Sequence, residues 1–229
     1  MWTLEKSKAF LTTDNLQCSV DLSSPQAGIR EVTAHQHRCT EATFSLLKMG
    51  LESEVLTESY QRGKDLITSY ASNDQRPASP QIYRRSQEYS QAIGLETIVS
   101  LQTDLLASRC PIHSVTEISH YQSSMIRNSE NHWQTAEPLE TPQALLVEFV
   151  DDLYYLEIAH PTDITSSSYS QTPGKIQWQH TLLDLQLEKG VIRRARLQSW
   201  WIKAAEEGAR SVADTLIENF INSPPPLTT

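Results

Sequence analysis

Short runs of β-type residues, many of them alternating apolar with polar, are separated by turn-rich stretches along most of the chain. Alternation places successive side chains on opposite faces, so each run predicts a strand with one face in a core. The runs are 2–10, 16–22, 29–37, 42–47, 55–62, 65–71, 81–85 and 96–103, then 115–119, 145–150, 153–160, 176–187 and 191–202. Strands at this spacing predict a mainly β fold, an antiparallel β-sandwich. The segments 73–80, 123–142 and 162–174 are polar or Pro-, Ser- and Thr-rich and read as loops. From about 204 to 221 the period changes: Ala205, Ala209, Val212, Leu216 and Phe220 make one stripe at helical spacing. Pro224, Pro225 and Pro226 stop this C-terminal amphipathic helix. The pattern predicts one β-rich domain over 1–223 that ends in the helix, and a Pro-rich tail over 224–229.

Turn chemistry predicts which strands pair. Gly190 after Glu188 and Lys189 fits a three-residue hairpin whose glycine is left-handed. That register sets Asp184 against Arg194, Leu182 against Arg196, His180 against Gln198 and Trp178 against Trp200. One face is then largely apolar, and the other carries two indoles, a His, an Asp and two Arg. Gly63-Lys64 fits a two-residue turn that sets Arg62 against Asp65 and Tyr60 against Ile67. A third hairpin is expected at Asp151-Asp152. The adjacent Trp200 and Trp201 point opposite ways on a regular strand.

Composition narrows the function classes. The 229 residues carry 19 Lys and Arg against 28 Asp and Glu, a formal charge of -9. This excludes a general nucleic-acid binder, whose affinity rests on neutralising phosphates. No window approaches the length of a membrane helix, and 1–10 has no signal-peptide run. Cys18, Cys39 and Cys110 form no CxxC pair, as expected of free thiols in a reducing cytoplasm. The sequence contains no P-loop, GxGxxG, GxSxG or HExxH motif, and it predicts no cofactor.

Three groups of residues could carry chemistry. Trp178, His180, Asp184, Arg194, Arg196 and Trp200 share one face in the expected register. Indoles stack on sugar rings, and Arg and Asp hold hydroxyls or anions. Arg196 has no carboxylate opposite it in that register and is the expected ligand-facing cation. On a strand, His35, His37, Cys39 and Glu41 would point one way, so His35, His37 and Cys39 are weak metal candidates. The expectation is nevertheless no bound metal. Glu148, Asp151, Asp152 and Glu157 cluster around one hairpin, and Cys110 lies near His113. Local turn chemistry and an inert thiol account for these two groups.

The segments ESYQRGKDLITSY at 58–70, SLQTDLLASR at 100–109 and LEKGVIRRARLQSWWI at 187–202, with the PPPLTT tail, resemble a family of bacterial proteins without assigned activity. The many-stranded pattern also resembles galactose-mutarotase-like supersandwich domains, which implies a supersandwich fold and a link to carbohydrate. Neither resemblance carries catalytic residues over to this sequence. The reading is a cytoplasmic protein that binds a carbohydrate or a small anionic ligand without catalysis. The alternatives are a metal-dependent or sugar-modifying enzyme and a protein-interaction module.

Overall fold

The alternating runs form twenty strands in a computed structural model, which describes residues 1–50, 54–137, 142–150 and 152–224. The first are β1 (Trp2–Glu5), β2 (Lys8–Thr12), β3 (Leu16–Asp21), β4 (Ile29–Ala34), β5 (His37–Arg38), β6 (Ala42–Lys48), β7 (Leu56–Arg62) and β8 (Asp65–Tyr70). The middle of the chain forms β9 (Ala78–Tyr89), β10 (Ala92–Thr103), β11 (Ala107–Arg109), β12 (Ile112–Ser119), β13 (Ser123–Arg127) and β14 (Trp133–Thr135). The last are β15 (Ala144–Val150), β16 (Leu153–Ala159), β17 (Ile164–Thr172), β18 (Lys175–Leu182), β19 (Gln186–Glu188) and β20 (Arg193–Lys203), followed by helix α1 (Glu206–Ile221).

Two nine-stranded sheets result. Sheet I runs β1-β2-β3-β4-β6-β12-β18-β17, with β5 on β4. Sheet II runs β14-β13-β15-β16-β20-β10-β9-β8-β7, and β11 pairs with β19 apart from both. Every pairing is antiparallel. The expected mainly β sandwich with a C-terminal helix is therefore the observed fold. The inner faces pack on each other in two buried clusters. Phe44 of sheet I stands 4.5 Å, centroid to centroid, from Tyr155 and 5.3 Å from Trp201 of sheet II. Burying one such large apolar side chain contributes roughly 1.5–3 kcal/mol.

Sheet II is apolar on part of its outer face as well. There Leu146, Tyr154, Leu156, Ile158, Trp200 and Ile202 meet Ala209, Ala213, Leu216, Ile217 and Phe220 of α1. Glu206 and Glu207 in the first turn suit the positive end of the helix dipole. Trp200 lies flat over Gly94, where a Cβ would stand 2.5 Å from the indole ring. Among the described residues, no helix is long and apolar enough to cross a membrane.

The hairpin at Gly63-Lys64 has the expected register, with Tyr60 opposite Ile67 and Arg62 opposite Asp65. The third expected hairpin also forms, with Val150 opposite Leu153; Asp151 itself lies outside the described residues. Trp200 and Trp201 do point opposite ways, one to α1 and one to the inter-sheet core.

The pairing expected across Gly190 does not form. Gly190 takes a positive φ of 76°, and Val191 N donates to Glu188 O at 3.1 Å, so the turn is real. The strands beyond it diverge. β18 lies in sheet I between β12 and β17, and β20 lies in sheet II between β16 and β10. The chain leaves β18 at Leu183, whose φ of 55° breaks the extended path. Both strands send apolar residues into the same core from opposite sides, which imitates the segregated faces of one hairpin.

Three expected irregular segments are partly strand. Ala78 to Pro80 opens β9, 123–142 contains β13 and β14, and 162–174 contains β17. Among the described residues β17 pairs only with β18, and it buries only Ser167 and Tyr169 of its own. An edge strand of this kind needs little apolar alternation.

Candidate functional site

Cross-strand neighbours on the outer face of sheet II beyond α1 form polar rows, in which Asp65, Ser100 and Gln198 are themselves buried. One runs Asp65, Arg85, Glu96, Gln198 across β8, β9, β10 and β20. Another runs Ser69, Gln81, Ser100, Arg194 across the same four strands. Ile67, Tyr83 and Ile98 lie between the rows. The alternate residues on these strands, Leu66, Ile82, Val99 and Leu197, face inward to the core, which fixes the polar ones outward.

The first row is pre-oriented. Arg85 donates from Nε and Nη2 to the two oxygens of Asp65 at 2.6 and 2.8 Å, and its Nη1 lies 3.8 Å from Glu96 Oε2. Gln87 donates to Glu96 Oε2 at 3.2 Å. Burial pushes the Glu96 carboxyl up, while Arg85 and Gln198 pull against that rise. Trp200 Nε1 donates to Gln198 Oε1 at 2.9 Å. Above the row is a cavity of about 470 Å³ whose far wall is Trp200, Leu216 and Phe220. A second cavity, of about 370 Å³, opens over the other row and adds Ser79 and Gln102. Donors and acceptors alternating beside apolar walls suit a ligand with hydroxyls on one side and C–H groups on the other.

Arg194 and Trp200 lie on this face, and Arg194 Nε donates to Ser100 Oγ at 3.1 Å. Arg196 is on the same face but is 3% exposed. The absence of a carboxylate partner inferred for it is corrected: Asp163 Oδ2 accepts from its Nε at 2.8 Å. Its Nη1 donates to Ser223 Oγ at 3.2 Å and Pro224 O at 3.2 Å, so it also ties the end of α1 to the sheet. Asp184 pairs with Arg109, not Arg194, at 2.5 and 2.8 Å.

Trp178 and His180 are both fully buried between the sheets and do not join that face. Trp178 Nε1 donates to His180 Nε2 at 2.5 Å, which leaves the imidazole proton on Nδ1, 2.7 Å from Ser167 Oγ. Burial lowers the His180 pKa to about 3. Glu157, also wholly buried, accepts from Thr116 and Tyr155 at 2.5 Å on Oε2, and its Oε1 lies 3.7 Å from His180 Nε2. Burial raises this carboxyl to about 7.

The run from His35 to Glu41 is a bend. His35 and Gln36 have φ of 48° and 70°, and Glu41 has 54°. His35 Nε2 faces Trp201 O at 3.3 Å, His37 is exposed, and Cys39 is buried. The shared face that would make His35, His37 and Cys39 a ligand set is absent. Among the described residues, no three His, Cys, Asp or Glu side chains converge on a metal position. Cys18, Cys39 and Cys110 are free and buried.

Arg85, Glu96, Gln198 and Gln81 were missed from sequence. Their signal was the period-two placement of polar residues on β9 and β10, legible only with the order β9-β10-β20 in hand.

No family model matches the chain, and no curated protein matches it. Solved structures do match in fold. The Slr1438 protein from Synechocystis sp. PCC 6803 has a TM-score of 0.57 at 8% identity, over 89% of this chain and 100% of that one. A putative aldose 1-epimerase from Escherichia coli K12 has a TM-score of 0.56 at 7% identity, over 85% of this chain and 98% of that one. An alpha-N-acetylgalactosaminidase, NagBb from Bifidobacterium bifidum, has 0.55 at 9% identity, over 96% of this chain and 38% of that one. The chain thus shares its fold with these three structures.

Proposed function

We propose that the outer face of sheet II binds a carbohydrate without transforming it. The observation that carries this reading is the pair of polar rows flanking Tyr83, each opening into a cavity. Rigid strands hold these groups in place, as hydroxyl recognition requires. The fold relatives include proteins named as acting on sugars, which agrees with this reading. Both oxygens of Asp65 accept from Arg85, which fixes that carboxylate in the sheet. The second reading, a sugar-modifying enzyme, draws on Glu96, whose raised carboxyl is the natural proton donor on this face.

The test is a nuclear magnetic resonance titration with a panel of neutral and acidic mono- and disaccharides, following the five tryptophan indole signals. At least one sugar is expected to shift the Trp200 signal, and Gln198→Ala to weaken that sugar at least about tenfold, roughly 1.4 kcal/mol. No shift with any member overturns the reading. Turnover of a bound sugar that Glu96→Gln abolishes favours the enzyme.

A further inference from the structure

Between the two polar rows runs a third row of the same face: Tyr60, Ile67, Tyr83 and Ile98, across β7, β8, β9 and β10. Ile67 and Ile98 are buried, while Tyr60 is 36% exposed and Tyr83 is half-buried. Two phenol rings thus reach the surface two strands apart, about 10 Å at the ordinary strand spacing. The orientation of Tyr83 is fixed. Its hydroxyl donates to the side-chain oxygen of Gln81, two residues back on β9, and Gln81 Nε2 donates to Ser69 Oγ at 3.0 Å. A ring tied to a side chain of its own strand leans along the sheet and does not stand off it, which turns a ring face outward.

The two cavities lie on either side of this row, one over Arg85 and Gln198 and the other over Ser69 and Gln81. Arg85 and Gln81 are four positions apart on β9, as are Glu96 and Ser100 on β10. At a strand rise of about 3.3 Å per residue, the polar rows stand about 13 Å apart. A single sugar ring is too short to meet both rows, and a linear chain of three rings is long enough. We propose that the ligand of this face is an oligosaccharide of at least three units, laid along the strands with its middle ring stacked on Tyr83. The C–H face of a sugar ring suits the apolar strip, and its edge hydroxyls reach the donors and acceptors on either side. The tie between Tyr83 and Gln81 sets the ring before the ligand arrives, so stacking costs little ordering of the side chain. The inference deepens the carbohydrate reading and rests on it: a sugar must bind here before its length matters.

The experiment measures affinity for the full chain by calorimetry against cello-, chito-, malto- and galacto-oligosaccharides, each from the single sugar to the tetramer. In at least one series the tetramer is expected to bind at least about tenfold more tightly than the single sugar. A site for one ring gains from a tetramer only a statistical factor of about four, one for each ring on offer. Tyr83→Leu removes the stacking ring and is expected to bring the ratio of the two affinities close to that factor. Partial unfolding of the variant lowers both affinities by the same factor, so the ratio reads the ring and not the fold. A ratio below tenfold in the parent overturns the inference and leaves the carbohydrate reading standing. A ratio that Tyr83→Leu leaves unchanged does the same. Binding by no member of any series sinks both.

Discussion

Glu157 occupies a position where an ionised carboxylate is costly, because its Oε1 meets no hydrogen-bond donor among the described residues and the side chain is wholly buried. Around it stand Thr116 from β12, Tyr155 from its own strand and His180 from β18, and burial keeps His180 neutral, so no cation among the described residues offsets the charge. The folded-state pKa, about 7, lies above the ordinary 4.5. The unfolded chain therefore releases this proton first. The group's full contribution is present below about 4.5 and is lost as pH rises towards about 7, by up to about 3 kcal/mol. His180 has the opposite sign: with its pKa lowered from 6.5 to about 3, its contribution is lost as pH falls below 6.5. Glu157→Gln keeps the acceptor for Thr116 and Tyr155 and removes the ionisation. Denaturant unfolding at pH 5 and pH 8 is expected to show the variant gaining on the parent at the higher pH. A gap between variant and parent that does not change with pH would contradict a raised carboxyl.

At the scale of elements, the contact between β10, β20 and α1 depends on one missing side chain. A Cβ at Gly94 would fall 2.5 Å from the Trp200 ring and 2.8 Å from Ser199 O. Gly94→Ala forces the indole off β10 towards Leu216 and Phe220, an overpacking expected to cost about 1–3 kcal/mol. In a Trp200→Leu background the same change is expected to cost less, and equal costs in a double-mutant cycle would show that the ring does not set the limit. Trp200 also shows how far elements can be read from sequence. The helix stripe was legible because Ala209, Leu216 and Phe220 recur at its period, and the Gly63-Lys64 turn because glycine dictates its backbone. The partner of β20 was not legible. That strand is buried on both faces, Ala195, Leu197 and Trp201 inward and Trp200 and Ile202 under α1, so its alternation names no neighbour. With that neighbour mistaken, Trp178 and His180 were placed beside Arg194 and Trp200, from which a whole sheet separates them. Arg194 and Trp200 stayed on one face because they belong to one strand.

For the molecule as a whole, the order of strands in sheet II sets the terms of stability. β20 is central, yet its neighbours β10 and β16 are both earlier in the chain. β10 pairs with it from Ala92 to Leu101, and β16 from Leu153 to Ala159. A chain ended at Glu188 lacks both β20 and α1 and leaves these two strands with bare inner edges. Such a truncation is expected to show no cooperative thermal transition, and a sharp melt at the full-length midpoint would refute the central role of β20. The same placement bears on synthesis. Strands emerge from the ribosome in chain order, so β10 and β16 are exposed to solvent and to other chains before their common partner exists. Unpaired strand edges are templates for association between molecules. The finished sheet conceals these two edges at its centre, so the hazard they pose belongs to the nascent chain and not to the folded protein.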